Sequence, residues 1–254
     1  MKTVKISALV LSMAGVFATT ANAQSAKTNA WEGFFGQASV GFASFAPKIG
    51  TTTLAPTGAL AAYTRPPISQ TVAVATTADT LNGGYNAIGA GYNFGINQSY
   101  VLGLGVNYSL GASSAGSGSF TLSAPGLSGL PANRGGPLAV TSPISYQLKN
   151  IWSVALYPGY VIDKDKLAYA KVGYSGVTIG INSATAAYQT TNLSGYVLGL
   201  GYKQMVTQSI YVLGEANYAG FSNKATTLAS TNGTFSSTVG GSGYDFIVGV
   251  GYRF

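Results

Sequence analysis

The stretch Gly243-Tyr-Asp-Phe-Ile-Val-Gly-Val-Gly-Tyr-Arg-Phe254 alternates without a break. Tyr244, Phe246, Val248, Val250, Tyr252 and Phe254 fall on one side of an extended chain; Gly243, Asp245, Ile247, Gly249, Gly251 and Arg253 fall on the other. A period of two belongs to a β-strand, whose successive side chains point to opposite faces. Here one face is wholly apolar or aromatic and the other is mostly small or charged. A soluble strand hides its apolar face in a core, whereas a membrane barrel turns that face to lipid and its polar face to the lumen. The rest of the chain decides between the two.

The same alternation recurs at residues 31–45, 84–94, 100–111, 146–160, 167–179, 193–203, 210–221 and 243–254. Each segment reaches the roughly 9 to 11 residues that a tilted membrane strand needs. The even-numbered segments finish on Gly-Tyr pairs at Tyr92, Tyr160, Tyr202 and Tyr252, and the odd-numbered ones carry Phe42, Tyr108, Tyr174 and Tyr218 near their far ends. Two interfacial aromatic rings are expected from this spacing. The connections alternate as well. Residues 95–99, 161–166 and 204–209 are brief and polar, while 46–83, 112–145, 180–192 and 222–242 are mostly longer and rich in Thr, Ser, Ala, Gly and Pro. Short periplasmic turns and long extracellular loops produce this pattern in an up-and-down barrel.

Sorting the faces separates charge from lipid. The outward set (among others Val40, Ile88, Leu104, Val154, Val172, Leu198 and Val212) holds no charged residue. The inward set collects Gln37, Ser39, Asn93, Asn107, Lys149, Ser153, Lys171, Ser175, Lys203, Glu215, Asn217, Asp245 and Arg253. A lipid-facing Arg or Lys at the bilayer midplane costs about 2–4 kcal/mol, so a bilayer demands this separation. The fold expected is all-β: an eight-stranded antiparallel up-and-down transmembrane β-barrel.

Composition agrees. Charged residues make up 7% of the chain, against about 25% in ordinary soluble domains. The start reads as a cleavable secretory signal over residues 1–23: Lys2 and Lys5, an apolar stretch from Ile6 to Phe17, then Ala21-Asn22-Ala23. Residues 24–254 then form one barrel domain. Losing Lys2 and Lys5 lowers the formal charge of +7 by two. The remaining basic residues are scattered, without the clustering expected of a nucleic-acid surface.

Several chemistries are excluded by residue type. The chain has no Cys and no His, which removes disulfides, thiolate metal sites and every His-dependent triad. Asp163 and Asp165 alternate with Lys164 and Lys166 in a turn, which reads as solvated. The Gly-x-Gly pairs at 89/91, 103/105, 199/201 and 249/251 lie inside strands, where lumen packing explains them better than nucleotide binding. A Ser-Lys pair, Ser153 with Lys149 or Lys171, is the one nucleophilic arrangement left, and polar filling of the lumen is the plainer reading. No catalytic residue, cofactor or metal is expected.

At this point the chain resembles the small outer-membrane β-barrel proteins, the group of OmpA/OmpX-type and opacity-type barrels. The resemblance covers essentially the whole mature chain. It is carried by Trp31-Glu-Gly-Phe-Phe-Gly36, by Tyr157-Pro-Gly-Tyr160 leading to Tyr169-Ala-Lys-Val-Gly-Tyr174, and by Gly199-Leu-Gly-Tyr202. Tyr211-Val-Leu-Gly-Glu215 and the closing Val250-Gly-Tyr-Arg-Phe254 complete it. The resemblance implies that the terminal aromatics, Tyr252 and Phe254, are read by the outer-membrane assembly machinery. It implies outer-membrane lipid and lipopolysaccharide as surroundings and a monomer as the working form.

An eight-stranded barrel is nearly filled by side chains, so a structural role with a narrow polar lumen is expected rather than a wide pore. Lys171, Lys203, Glu215, Asp245 and Arg253 are placed as a lumen charge network. They either pair into a plug or are each solvated by water. The two largest loops carry Leu54, Leu60, Tyr63, Val72, Val74, Leu122, Leu127 and Leu130, with Arg65 and Arg134 as isolated charges. They either bind a surface partner, as in an adhesin, or form a canopy. Weak passage of small solutes is the remaining alternative. Residues 71–77 and 234–239 either extend strands two and eight or make an extra hairpin.

Overall fold

The computed structural model describes residues 28–56, 72–109, 115–122, 140–183, 186–230 and 233–254. The 1–23 signal and Leu60, Tyr63, Arg65, Leu127, Leu130 and Arg134 lie outside the described residues, as do the side chains of Val72, Val74 and Leu122. The strands are β1 (Gly33–Ile49), β2 (Thr52–Pro56), β3 (Val72–Ala78), β4 (Leu81–Gly95), β5 (Tyr100–Ser109) and β6 (Gly116–Leu122). They continue with β7 (Val140–Asp163), β8 (Lys166–Ser183), β9 (Ala186–Met205), β10 (Ile210–Ser230) and β11 (Gly233–Arg253).

β1, β4, β5, β7, β8, β9, β10 and β11 pair antiparallel in that order, and β11 returns to β1 to close a ring of 8. Closure removes every sheet edge, which hydrocarbon requires because it cannot satisfy a free backbone N–H or C=O. The short strands are not a separate hairpin. β2 pairs with β11 and β3, β3 with β6, and β6 with β7. They therefore stand above β1, β4 and β5 and carry the same ring upward. Residues 72–78 extend the second spanning strand and β11 runs unbroken through 234–239.

The segments expected as loops at 180–192 and 222–242 are largely strand, belonging to the hairpins β8–β9 and β10–β11. Their Thr-rich sequence suits extended backbone, and each strand finds a partner there. β10 and β11 each run 21 residues, roughly 50 Å along the axis at a 40° tilt. From Tyr244 to Tyr252 the aromatic ends of β11 span only about 20 Å by the same geometry. About half of the wall on this side thus rises above the membrane.

Two bulges change which residues face inward. Asn150, at φ 49°, sits in a register shift between Lys149 and Trp152. Below it Ser153, Ala155 and Tyr157 are buried; above it Leu148 and Tyr146 are. The extra residue reverses the phase, so Lys149 stands outside the barrel and not in the lumen. A second shift lies between Phe221 and Lys224.

The Gly-x-Gly pairs make room for inward side chains of adjacent strands. A Cβ on Gly201 would overlap the Tyr169 ring, one on Gly251 the Tyr211 ring, and one on Gly91 the Phe35 ring. Rings folded flat against neighbouring glycines fill the narrow bore with little wasted volume.

Candidate functional site

The interior is built in three layers. At the turn end, Trp31, Phe35, Val101, Ala155, Tyr157, Leu167, Tyr169, Tyr211 and Leu213 form one apolar cluster. At the loop end, Phe45, Leu81, Tyr146, Leu148, Val177, Ile179, Leu193 and Val239 form another. Between them lies a polar belt containing Gln37, Ser39, Asn107, Ser153, Lys171, Ser175, Glu215, Asn217 and Asp245. The middle is the most polar layer, with further buried polar groups at the turn end (Asn93, Lys203) and the loop end (Thr52, Thr191), so the expected polar lumen is interrupted by two apolar clusters. The rings of Tyr157, Tyr169 and Tyr211 share the parity of Ser153, Lys171 and Glu215 on their own strands, so large side chains fill the same face that carries the polar ones.

Glu215 on β10 is the hub of the polar layer. Lys171 Nζ, from β8, lies 2.9 Å from Glu215 Oε1. Asn217 Nδ2 donates to the same oxygen at 2.8 Å, and Tyr169 Oη donates to Oε2 at 2.8 Å. Asn217 Nδ2 also donates to Asp245 Oδ1 at 2.8 Å, which joins β11 to the group. The side chains of Lys171 and Glu215 are 6% and 2% exposed. Burial of both charges is sustained because each is paired and Glu215 receives further donors.

The other two expected members lie elsewhere. Lys203 makes no ion pair with Glu215. Its Nζ sits 4.3 Å from the Phe35 ring centre, 4.9 Å from that of Tyr211 and 5.1 Å from that of Tyr169. Aromatic faces carry partial negative charge and attract the ammonium, so Lys203 belongs to the lower aromatic layer. Arg253, the last residue of β11, reaches the rim at the short-turn end, where Nη2 donates to Gln208 O at 2.8 Å. Asn217 links the Lys171–Glu215 pair to Asp245, while Lys203 and Arg253 make their contacts elsewhere. Asn217 and Tyr169 were not among the expected charge partners; their position one strand-repeat from Glu215 and Lys171 on the inward face was the available signal.

The turn end is closed from below. Trp31 is 1% exposed and meets Tyr211 edge-on at 5.8 Å. Asn29 fixes this cap: its Nδ2 donates to Asn97 O and Gln98 O, and its Oδ1 accepts from Trp31 N.

Outside, two aromatic girdles are in place. The upper holds Phe42, Tyr108, Trp152, Tyr174, Tyr196, Tyr218 and Tyr244; the lower holds Phe94, Tyr100, Tyr160, Tyr202, Tyr252 and Phe254, all exposed. Between them lie Val40, Ile88, Leu104, Val106, Val154, Leu156, Val172, Leu198, Leu200, Val212, Val248 and Val250, also exposed. An apolar band bounded by aromatics is the surface a bilayer matches.

No protein-family model matches the chain. No curated protein matches it in sequence. Among solved structures, the outer membrane protein OprG of Pseudomonas aeruginosa aligns with a TM-score of 0.53 at 13% identity, over 90% of this chain and 99% of that one. The fold is that of an outer-membrane β-barrel. Looser matches are the outer membrane protease OmpT of Escherichia coli and Ail, the attachment invasion locus protein of Yersinia pestis. OmpT aligns at a TM-score of 0.47 and 12% identity over 88% of this chain and 97% of its own. Ail aligns at 0.40 and 13% over 88% and 99%.

In this outer-membrane barrel neither Ser-Lys pair is assembled. Lys171 is engaged by Glu215, and Lys149 lies on the outer wall, where Nζ donates to Tyr188 Oη at 3.0 Å. Ser153 Oγ accepts from Asn107 Nδ2 at 3.5 Å instead. At the terminus, Tyr252 and Phe254 stack edge-to-face at 4.9 Å on the lower girdle, and Phe254 N donates to Phe34 O at 2.9 Å, locking the end of the chain to β1.

Proposed function

We propose that this protein is a structural, non-catalytic outer-membrane barrel whose lumen is sealed, delivered by a cleaved signal over residues 1–23 and working as a monomer. One observation carries the reading: the Lys171–Glu215 pair is shut between two apolar layers. A solute path would have to displace aromatic rings and a neutralised ion pair together. The lipid of the outer membrane and its assembly machinery are the partners that the girdles and the Tyr252/Phe254 terminus suit. The test is planar-bilayer recording of the folded protein. No steady conductance is expected from the wild type; a large, steady current would overturn the sealed reading.

A second reading has support from the tall wall. The segments 57–71 and 123–139 leave from its upper strands β2 and β6, so they begin well clear of the bilayer, where a rigid scaffold presents loops to other surfaces. Deleting both segments in cells tests adhesion: unchanged attachment removes this role and leaves the structural one.

A further inference from the structure

We propose that the wall above the upper girdle carries a strand-addition site: an extended polypeptide segment, bearing an acidic and an apolar side chain, enters the seam between β9 and β10. The inference goes beyond the sealed lumen and is independent of it, because the seam lies above the membrane-spanning part of the ring.

β9 and β10 pair continuously from Met205 and Tyr211 up to Gly195 and Phe221, then meet again only at Ala186 and Ser230. Among the described residues, no ladder pair joins 187–194 to 222–229. Both ends keep the same register, so the strands part without slipping. The gap begins beside Tyr196 of the upper girdle, where the hydrocarbon ends and water can serve free N–H and C=O groups. Its cause is the bulge in β10 between Phe221 and Lys224, which lies at the foot of the gap and bends that strand. Beyond it each bank is held from behind. Gln189 to Ser194 are laddered to β8, and Lys224 to Ser230 to β11. The seam is thus two firm edges, each roughly 25 Å long.

Side chains, not backbone, cross it. Lys224 Nζ donates to Asn192 O at 3.3 Å, and the hydroxyls of Thr191 and Thr226 lie 3.0 Å apart. Asn192 O therefore points across the gap, and strand alternation directs the N–H and C=O of Thr190 and Tyr188 the same way. Admitting a strand widens the seam to about 10 Å, two strand spacings, and exchanges the two side-chain contacts for main-chain bonds. Such a strand runs antiparallel to one bank and parallel to the other, and both arrangements form ladders.

A lysine and a bulge are common guards of an exposed edge against indiscriminate pairing. Here the lysine also selects. Among the described residues Lys224 has no carboxylate partner, so an acidic side chain on the entering strand gains a charge-assisted bond in place of the neutral one to Asn192 O. Behind the seam lies a cavity lined by Gln189 on one bank and Thr226, Thr227 and Leu228 on the other, with Ile179 and Ile181 beside them. It suits an apolar side chain. In strand addition the edge supplies affinity and such a pocket supplies specificity. A small apolar molecule could use the cavity but none of the free edge groups, so a peptide accounts for both.

The test uses full-length mature protein in phosphatidylcholine nanodiscs and the fluorescein-labelled peptide Thr-Thr-Asp-Thr-Leu-Thr-Val-Thr-Thr, read by fluorescence anisotropy. Its acidic and apolar positions alternate with threonine, as Lys224, Thr226 and Leu228 alternate along β10. Binding is expected below about 1 mM peptide and should fall at least about tenfold when alternate peptide nitrogens are methylated. Lys224→Gln should weaken it about fivefold, and Lys224→Glu should prefer the same peptide with lysine in place of aspartate. Oxidising the double variant Thr191→Cys/Thr226→Cys should staple the seam and abolish binding, and reduction should restore it. Heat-modifiable migration on gels shows separately that each variant has inserted and folded. Equal binding by the oxidised and reduced forms would overturn the proposal, as would no binding to the wild type. Equal binding of the methylated peptide would also overturn it, and would assign the cavity to apolar contact alone.

Discussion

Lys171 and Glu215, 44 residues apart in sequence, meet at 2.9 Å in the centre of the barrel. β8 and β10 are not neighbours in the ring, so this contact reaches over Gly199 and Gly201 of β9 and ties the two strands that flank it. Changing Glu215→Leu leaves the Lys171 ammonium buried without its counter-charge, and the expected loss is about 3–5 kcal/mol. The double variant Lys171→Met/Glu215→Leu should recover part of it, because the unpaired charge is gone while the buried Tyr169 hydroxyl still lacks its acceptor. Urea unfolding in lipid bilayers measures both; a double variant as weak as the single would show that the pair does more than cancel its own burial.

Lys203 should behave differently. Its ammonium is held by three rings rather than by a carboxylate, a contact worth about 0.5–2 kcal/mol that is set against the cost of burying the charge. Lys203→Met is therefore expected to change stability by no more than about 1 kcal/mol. The same unfolding assay decides: a loss as large as that from Glu215→Leu would mean that Lys203 is part of the central network.

Ring-against-glycine packing gives a third outcome. Gly251→Val would drive a branched side chain into the Tyr211 ring, with an expected cost of about 1–3 kcal/mol. Adding Tyr211→Ala should relieve part of the clash, so the two substitutions together should cost less than the sum of each alone. Strict additivity would mean that the ring and the glycine are not packing partners.

The outward face can be probed with charge. Val248 lies midway between Tyr244 and Tyr252 and is 63% exposed. Val248→Arg should cost about 2–4 kcal/mol in a bilayer, whereas Ile162→Arg, beside the short β7–β8 turn, should cost about 0–1 kcal/mol. Equal costs would place Val248 away from the hydrocarbon.

Above the membrane, Tyr146 is 4% exposed and its hydroxyl donates to Asp79 O. Burial pushes its phenol from the ordinary 10.0 up to about 12. The protonated phenol is the form the fold holds. Its contribution is thus complete below pH 10 and lost as pH rises from 10 through about 12. Phenolate absorbance titration of the wild type against Tyr146→Phe should show one tyrosine missing from the high-pH end of the curve. A missing step at the ordinary phenol range would contradict its burial.

Much of this was legible from alternation alone. The twelve closing residues place Val248 and Val250 outward and Asp245 inward, as they stand in the barrel. What alternation cannot register is an extra residue. The bulge at Asn150 moves Lys149 from the expected inner face to the outer, and nothing in Leu148-Lys-Asn-Ile-Trp152 marks it. Where no bulge intervenes, period two holds: Tyr211 and Tyr218, seven residues apart on β10, fall on opposite faces, one ring filling the bore and the other standing in the girdle. Arg253 alternates correctly but lies too near the strand end to reach Glu215, because depth along the axis depends on tilt and stagger that are not written in one strand.

The most direct measurement takes advantage of a chain that contains no cysteine. Val248→Cys and Ser175→Cys, made separately and folded into bilayers, are exposed to a water-soluble maleimide and, after labelling in denaturant and refolding, to lipids brominated along their acyl chains. The account predicts that neither thiol reacts with the maleimide in the folded state, and that only a fluorophore at position 248 is quenched by the brominated chains. Rapid labelling of Ser175→Cys would show water running through the lumen, and quenching that spares position 248 would show that the apolar belt does not meet lipid.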